Sequence, residues 1–381
     1  MNDTHRPPAQ ASAPFRGGLG LPVGIAGTGV HIPDQVVTNA DLVAHLDTSD
    51  AWIRERTGIR ERRFLRQGET TSDMCVAAAE AALADAGVGA AALDAVIVST
   101  FTHDQPLPST ALMVKDRIGA HRAIPLDLNQ AACAGGVYGM WLAAHLLQNM
   151  ELDSVLVIGA EALSRCTDPQ DRATRVFFGD AAGAVVLRRT RPGHGILAWH
   201  ADSRLSHAVE IPAGGSRRPA SAETVADRAH FLKMDGRVVW KEATEHLPAS
   251  VEEVVAAAGV RVADVDRFVF HQANLNIVRE AMLALGQPMD KAAVSVDRLG
   301  NTGAATVFVG LHESLAQGRV RSGDLVVVSA IGAGFLWGSL CIRHWAGAGA
   351  SADEGAEASA EAGAEASAEA GAADGASGAE G

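Results

Sequence analysis

Residues 154–160 read SVLVIGA and residues 324–330 read DLVVVSA, and the likeness of these two apolar runs decides the fold. Each run follows a helical stretch, which opens near Cys133 in the first case and near Asn301 in the second. The repeat is far longer than the unit of a solenoid, so it does not indicate an array. We therefore predict a duplicated domain, built as two similar five-stranded halves that share one core.

Between its ends the chain alternates short β-rich runs with longer helical stretches, a pattern typical of α/β proteins. The predicted strands are Val23–Val30, Ala95–Thr100, Val155–Gly159, Ala182–Leu187, Phe268–His271, Leu325–Ala330 and Gly338–Arg343. The predicted helices are Ser72–Ala86, Ala132–Asn149, Val238–Ala258, Leu275–Leu285 and Thr302–Gln317. On this pattern the two halves span residues 21–189 and 190–345.

The two ends of the chain differ in composition from this folded body. Residues 1–20 are rich in Pro and Gly, which predicts a flexible leader. Residues 346–381 hold eight acidic residues and no Lys or Arg, and the run GAEASAEA occurs twice there. Such a sequence has little to bury, so we expect a disordered acidic tail.

Charge and cysteine usage exclude several classes of protein. The formal net charge is −13, and no basic stripe is present that would neutralise the phosphates of a nucleic acid. The four cysteines form no C-x-x-C pair, which fits free thiols in a reducing cytoplasm. The first residues lack the apolar core of a secretory signal. Leu325–Ile342 carries no charge, but its glycines favour a strand–turn–strand over a membrane span.

Cys133 is the first candidate for chemistry. Residues 123–128 (AIPLDL) predict a strand, and the small residues after Cys133 allow a tight turn into a helix and leave room for a substrate. A thiol at a helix N-terminus faces unpaired N–H groups, which favours the thiolate. Taken alone, a single Cys among alanines is more often a small buried hydrophobic side chain.

Three further candidates lie in the second half. His271 ends a β-run before a helix, where open α/β sheets present functional groups. Asn301 precedes small residues at a helix start, and an N-cap role would explain it, although Asp or Ser would serve that role equally well. Gly332-Ala333-Gly334 leads into a strand rather than a helix, so it does not cradle a phosphate. The segment is better suited to donate a backbone N–H to a developing oxyanion.

A thiolate, an imidazole, a carboxamide and a backbone donor together suit acyl-thioester chemistry. Two other classes of enzyme fit less well. A papain-like protease carries C-G-[SA]-C-[WY] around its nucleophile, which Gln130–Gly135 does not match. A metal hydrolase needs clustered His and carboxylate ligands, and neither H-x-x-x-H nor H-E-x-x-H occurs.

Several short motifs occur in a fixed order from about residue 23 to residue 343. They are VVTN at 36–39, DTSDAWI at 47–53, RTGIRERR at 56–63, the Cys133 segment, FGDAAGA at 178–184, HQAN at 271–274 and GNT at 300–302. In this order they closely resemble β-ketoacyl-ACP synthase III, the initiating condensing enzyme of the thiolase-like superfamily. The resemblance implies an α/β fold, a thiolase-like duplicated five-layer αβαβα sandwich.

The resemblance also implies a role for each candidate. Cys133 would be the acylated nucleophile, while His271 and Asn301 would promote decarboxylation of a malonyl thioester. The backbone N–H groups of Cys133 and Ala333 would form the oxyanion hole. Acyl-CoA would be a substrate, with no tightly bound cofactor and no metal.

Binding partners follow from the same resemblance. Trp52 and Arg172 would flank the adenine of coenzyme A, and Arg56 would lie near its phosphates. The chain would form a homodimer in which a loop of the partner closes each acyl pocket. An acyl carrier protein would deliver the malonyl group.

Four departures from the family pattern suggest a specialised relative, for example one that primes a polyketide. Leu107 stands at the partner-loop position where housekeeping enzymes often have Phe, which implies an altered acyl pocket. Asn276 replaces the Arg that usually docks the acidic carrier protein, and Arg279 is a candidate substitute. Ala333 adds a methyl group to the glycine loop, and the acidic tail is not a family feature.

We therefore expect a decarboxylative Claisen condensation, in which acyl-Cys133 reacts with a malonyl-carrier thioester. Two alternatives stay open on the sequence alone. The acyl group could instead pass to oxygen or nitrogen of a small molecule, with His271 as general base. The scaffold could also serve as a non-catalytic partner subunit. A simple thiolase is disfavoured, because no C-x-G second-thiol motif is present at Cys341.

Overall fold

The computed structural model describes residues 15–129 and 132–347, so most of the predicted leader and nearly all of the predicted acidic tail lie outside the described residues. The strands are β1 (Arg16–Gly17), β2 (Val23–His31), β3 (Gln35–Thr38), β4 (Glu61–Phe64), β5 (Ala95–Ser99), β6 (Ile124–Asp127), β7 (Ser154–Ala162), β8 (Asp180–Arg189), β9 (Gly195–Ser203), β10 (Val209–Glu210), β11 (Lys233–Met234), β12 (Arg267–Phe270), β13 (Leu325–Gly332) and β14 (Leu336–Arg343). The helices are α1 (Asn39–Val43), α2 (Asp50–Thr57), α3 (Thr71–Ala86), α4 (Thr110–Arg117), α5 (Gly135–Leu146), α6 (Leu163–Cys166), α7 (Arg172–Arg175), α8 (Ala222–Ala226), α9 (Gly236–Ala257), α10 (Leu275–Ala284), α11 (Val296–Leu299) and α12 (Thr306–Ala316).

Two five-stranded sheets form the framework of the described chain, in the orders β2-β8-β7-β5-β6 and β1-β9-β14-β13-β12. Four strands of each sheet correspond in direction. The pair β5–β7 is parallel, while β7–β8 and β8–β2 are antiparallel. The strands β12, β13, β14 and β9 repeat this order of directions. The predicted equivalence of residues 154–160 and 324–330 is thus confirmed, because these runs form β7 and β13.

The fifth strands lie at opposite edges of the two sheets. β6 extends the first sheet beyond β5, whereas β1 extends the second beyond β9, with Arg16 opposite His200. The prediction of a flexible leader over residues 1–20 is therefore wrong for its last residues, since Arg16–Gly17 belongs to a sheet. β9 is absent from the predicted strands, because polar residues interrupt its apolar run.

Helices fill the space between the sheets and cover both outer faces. α5 and α12 lie between the sheets, where Met140 and Phe308 pack with Val157 of one sheet and Val328 of the other. α3 and α4 cover the outer face of the first sheet, and α9 and α10 cover that of the second. The predicted αβαβα order of five layers is confirmed.

Two turns next to the central helices position the candidate residues. A 3-10 turn at Ala132–Ala134 precedes α5, and a second one at Gly303–Ala305 precedes α12. The predicted helices therefore begin later than expected, each after a separate turn. Leu325–Ile342 forms β13 and β14, as the strand–turn–strand interpretation requires. No helix within the described ranges is long and apolar enough to cross a membrane.

Candidate active site

Cys133 lies in a sharp turn between β6 and α5. The preceding residue, Ala132, has a φ of 43°, in the left-handed region that residues with a Cβ rarely adopt. A Cβ added at Gly136 would come within 2.4 Å of a methyl carbon of Val307 on α12. The small residues after Cys133 therefore allow the two central helices to pack closely. This is a different reason from the room for a substrate that the sequence suggested.

His271 follows directly after β12 and is held in place from two sides. Its backbone N–H donates to the carbonyl of Ser329 on β13 at 2.8 Å. Its imidazole is buried, and Nδ1 lies 2.7 Å from Oγ1 of Thr306 at the start of α12. The ring thus lies at the end of a strand, as predicted, with Nε2 as its remaining polar atom.

Asn301 is fixed by both its side chain and its backbone. Oδ1 accepts a hydrogen bond from the N–H of Gly303 at 2.9 Å, so the carboxamide oxygen does serve the turn. The amide nitrogen Nδ2 remains as the donor. The Asn301 backbone N–H donates to Phe177 at 2.8 Å, and its carbonyl accepts from Gly179 at 2.9 Å. These two bonds join the turn at Asn301 in the second half to the first half.

Gly179, the first glycine of the FGDAAGA motif, is required for this connection between the two halves. A Cβ on Gly179 would lie 2.2 Å from the carbonyl oxygen of Leu299. Any side chain there would push the chain away from the residues before Asn301. The motif therefore contributes to the site by close backbone packing rather than by chemistry.

One cavity brings together Cys133, His271, Asn301 and Ala333, which all line it. The space between its lining residues is about 620 Å³, part of which is open to solvent. Most of the remaining wall is apolar, and it includes Phe101, Phe178, Leu232, Met234, Leu247 and Phe335. Residues from both halves therefore face a single space suited to an acyl chain. The apolar wall residues are not among the sequence candidates, because nothing distinguishes them from core residues.

Burial favours the neutral forms of Cys133 and His271. Desolvation raises the pKa of Cys133 to about 12, and the nearby Glu161 adds to the effect when it is ionised, while hydrogen bonding from the Asn301 side chain opposes it. Desolvation lowers the pKa of His271 to about 3. The loss of solvent around Cys133 thus opposes the thiolate that a helix N-terminus favours. The site holds a neutral thiol and a neutral imidazole.

Glu161 is a buried acid that the sequence analysis does not single out. Its carboxylate accepts hydrogen bonds from the hydroxyls of Thr100 and Thr102 and from the N–H groups of Phe101 and Thr102. Its methylene groups pack so closely against Gly303 that a Cβ there would come within 2.5 Å. A single acidic residue at the end of the apolar run of β7 is the signal that would have identified it. Glu161 thus ties the loop after β5 to the turn that follows Asn301.

Replacement of Glu161 by Gln is expected to stabilise the protein at alkaline pH. Burial raises the pKa of Glu161 from 4.5 to about 8. Between these values the unfolded chain is ionised while the folded one stays protonated, so stability falls as pH rises. Above about pH 8 the cost is constant, on the order of 5 kcal/mol. The thermal unfolding midpoint of Glu161→Gln should exceed that of the wild type by several degrees at pH 8.5.

The difference between Glu161→Gln and the wild type should shrink steadily down to pH 5. Glu80→Gln, on the exposed face of α3, serves as the matched control and should leave the pH dependence unchanged. A midpoint difference for Glu161→Gln that is equal at pH 5 and pH 8.5 would contradict the assigned cost.

The residues expected to bind coenzyme A lie at the mouth of this cavity. Trp52 and Arg56 line an open groove, which shares Met234 with the catalytic cavity. The Arg172 guanidinium lies 5.6 Å from the centre of the Trp52 ring. A ring stacked between the two groups needs about 7 Å, twice an ordinary contact distance, so the two groups are too close to hold one in this conformation. Arg172 is exposed, and its guanidinium donates to the carbonyl of Asp47 at 2.9 Å.

The same groove contains two residues that the sequence analysis does not name. Arg237 and Trp240, in the first turns of α9, lie opposite Trp52 and Arg56. Asn276 also lines the groove, and its amide donates to the carbonyls of Glu55 and Arg56. Asn276 is therefore engaged in joining α10 to α2.

The structure also locates Arg279 and Leu107. Arg279, the candidate substitute for the missing Arg, donates to Oδ1 of Asn276 at 2.9 Å. Leu107 is 83% exposed and does not line the catalytic cavity of its own chain. A role for Leu107 in an acyl pocket therefore needs a second copy of the chain.

Comparisons with known proteins agree with this geometry. The model of the 3-oxoacyl-[acyl-carrier-protein] synthase III family matches residues 126–204, and the model of its C-terminal part matches residues 255–344. The chain is 47% identical over 324 residues to the β-ketoacyl-[acyl-carrier-protein] synthase III of Symbiobacterium thermophilum, covering 84% of this chain and 98% of the relative.

Solved structures with similar folds include enzymes of two kinds. The β-ketoacyl-[acyl-carrier-protein] synthase III of Thermus thermophilus superimposes with a TM-score of 0.79 at 38% identity, covering 85% of this chain and all of the other. A priming β-ketosynthase from a polyketide biosynthetic pathway superimposes with a TM-score of 0.78 at 30% identity, covering 89% of this chain and 99% of the other.

Proposed function

The chain belongs to the β-ketoacyl-ACP synthase III family, and from this premise we propose that Cys133 takes a starter acyl group from acyl-CoA and condenses it with a malonyl-carrier thioester. The chain is an acyltransferase of this type. The observation that carries the assignment of roles is the convergence of Cys133, His271 and Asn301 on one apolar cavity.

Acylation begins from the neutral pair. The Cys133 thiol gives its proton to Nε2 of His271 as the sulfur attacks the thioester carbonyl. The backbone N–H groups of Cys133 and Ala333, which both border the cavity, hold the oxyanion. When the intermediate collapses, the bond between the carbonyl carbon and the coenzyme A sulfur breaks. Coenzyme A leaves as the free thiol with the proton from Nε2.

In the condensation step, His271 must act as a hydrogen-bond donor and no longer as a base. The malonyl carboxylate brings one negative charge into the cavity, and Nε2 of His271 takes up a solvent proton with it. Nε2–H and the amide of Asn301 then donate to the thioester carbonyl oxygen. Loss of carbon dioxide leaves its electron pair in an enolate, which attacks the acyl-Cys133 carbonyl. The departing thiolate recovers its proton from Nε2, so each turnover consumes one proton.

The groove at the cavity mouth suits the nucleotide end of coenzyme A. Trp52 and Arg172 offer an aromatic and a guanidinium face to adenine, and the exposed Arg56 offers charge to phosphates. Acyl-CoA enters as a substrate, and we assign no tightly bound cofactor.

A homodimer is supported by an open sheet edge. Within the described residues β6 pairs only with β5, and Ile124 on it is 52% exposed. Leu112 and Leu107, on the chain between β5 and β6, are also exposed apolar residues. Such an edge and its apolar surroundings fit pairing with a second copy. In that dimer Leu107 would reach the acyl pocket of the partner subunit.

We also propose a docking place for the carrier protein and a reducing compartment for the enzyme. An acyl carrier protein would dock at the groove mouth, where Arg237 and Arg279 provide positive charge in the absence of an Arg at position 276. The four cysteines are free thiols, which supports a reducing compartment such as the cytoplasm.

The test of this function is a two-step assay on the purified protein. A panel of acyl-CoAs should add the mass of one acyl group to the peptide that contains Cys133. A chase with malonyl-carrier protein should remove the acyl group and release one carbon dioxide per product. Transfer of the acyl group to an alcohol or amine without malonyl consumption would overturn the proposal.

A further inference from the structure

Thr306 is a buried hydroxyl in contact with the catalytic imidazole, and the mechanism above assigns it no role. It is the first residue of α12 and is 1% exposed. Its Oγ1 lies 2.7 Å from Nδ1 of His271 and 3.0 Å from the carbonyl oxygen of Gly303. The hydroxyl therefore stands between a ring nitrogen with two protonation states and an oxygen that only accepts.

The hydrogen-bond inventory of these three groups favours one tautomer of His271. A hydroxyl has a single proton, and the carbonyl of Gly303 has none. When Nδ1 carries the proton, Nδ1–H donates to Thr306 and the hydroxyl donates to Gly303, which makes two bonds. When Nδ1 is bare, the hydroxyl must turn toward it, and only one of the two bonds forms. The first arrangement leaves the lone pair on Nε2, the nitrogen that remains for the cavity.

No other group among the described residues is placed to orient the ring. Neither a carboxylate nor a cation contributes to the lowered pKa of His271, which has burial as its cause. Within the described structure, Thr306 is the side-chain partner of Nδ1. A carboxylate in that position would favour a permanent imidazolium, whereas a hydroxyl leaves the ring neutral.

We propose that Thr306 is a positioning residue that holds the proton on Nδ1 of His271 through the whole cycle, so that every proton transfer takes place at Nε2. This inference rests on the proposed function. In acylation Nε2 must present a lone pair, and in condensation it must carry a proton. Nδ1 is protonated in both states, so its bond to Thr306 is the same and nothing around the ring rearranges between the half-reactions.

The test compares Thr306→Val with Thr306→Ser in the full-length protein. Val removes the acceptor for Nδ1–H, so the neutral ring should change to the Nε2–H tautomer, which lacks the lone pair that acylation needs. We expect at least a tenfold slower release of coenzyme A in the acylation step. Decarboxylation by pre-acylated enzyme should fall less than threefold, because Nε2–H is still a donor. Thr306→Ser retains the hydroxyl and should restore acylation.

Thr110→Val is the matched control for the loss of a buried hydroxyl. Thr110 is also buried at the first position of a helix, α4, but its hydroxyl has no hydrogen-bond partner in the described structure. This variant should leave both half-reactions unchanged. Equal slowing of the two half-reactions in Thr306→Val, or failure of Thr306→Ser to restore acylation, would overturn the proposal.

A nitrogen-15 spectrum of the resting, histidine-labelled protein separates this inference from the proposed function. His271, assigned by comparison with His271→Ala, should show a protonated Nδ1 and an unprotonated Nε2 in the wild type and the reverse in Thr306→Val. A wild-type ring protonated at Nε2 would overturn the inference even if Thr306→Val does not fold. Absence of condensation by the wild type would overturn the proposed function and leave the tautomer assignment standing.

Discussion

Replacement of Cys133 by Ala is expected to abolish the acyl-enzyme and to reduce condensation by a factor of about 10³ or more. The mechanism has one nucleophile, and within the described chain no other cysteine lines the cavity. Cys75 and Cys341 are buried in the core, and Cys166 is turned toward the carbonyl of Leu163. Nothing else at the site can form the thioester.

Intact-protein mass spectrometry after incubation with acyl-CoA measures this effect directly. The wild type should gain one acyl group, and Cys133→Ala should gain none. Cys166→Ala is the matched control, because it removes a thiol that is also partly buried and should retain the adduct. An acyl adduct that persists in Cys133→Ala would show that another residue is the nucleophile.

Replacement of Asn301 by Ala should leave acylation measurable and suppress decarboxylation by about 10²–10³, the usual effect of removing one donor from an oxyanion site. Ala also removes the acceptor for the N–H of Gly303, so it disturbs the turn as well. Asn301→Asp separates these roles. It keeps an oxygen for Gly303 and replaces the amide donor with a second oxygen.

Release of carbon dioxide from malonyl-carrier protein by the pre-acylated enzyme is the measurement. Both variants of Asn301 should be slow in this step, and Asn301→Asp should unfold at a temperature closer to that of the wild type. If Asn301→Asp condensed at the wild-type rate, the carboxamide would serve the turn alone and not the reaction.

The sequence predicts those parts of the fold that are built from recognisable apolar patterns. The equivalence of β7 and β13 is visible because both strands are buried on both faces and so read as continuous apolar runs. β9 and β1 are not visible, because a polar or two-residue strand gains its stability from pairing with a neighbour. Pairing partners in the second sheet lie far apart in sequence, and no local pattern specifies them.

The site residues likewise fall into two groups, those that the sequence reveals and those that only the structure reveals. Cys133, His271 and Asn301 stand out because polar residues at the ends of apolar strands have few structural uses. Their protonation states do not follow from position, since a helix N-terminus favours a thiolate at Cys133 while burial raises the pKa of its thiol. Glu161, Thr306 and Arg237 escape notice because their contacts come from other segments of the chain. Only the folded structure shows which groups face them.

The two hydrogen bonds between Asn301 and the segment at Phe177–Gly179 have a kinetic consequence. They join the two halves next to Asn301 and oppose their separation, so we expect each thioester to enter and leave by the groove that Trp52 lines. The acyl group stays on Cys133 between the half-reactions, so coenzyme A should depart before the malonyl thioester binds, and the steady-state pattern should be ping-pong.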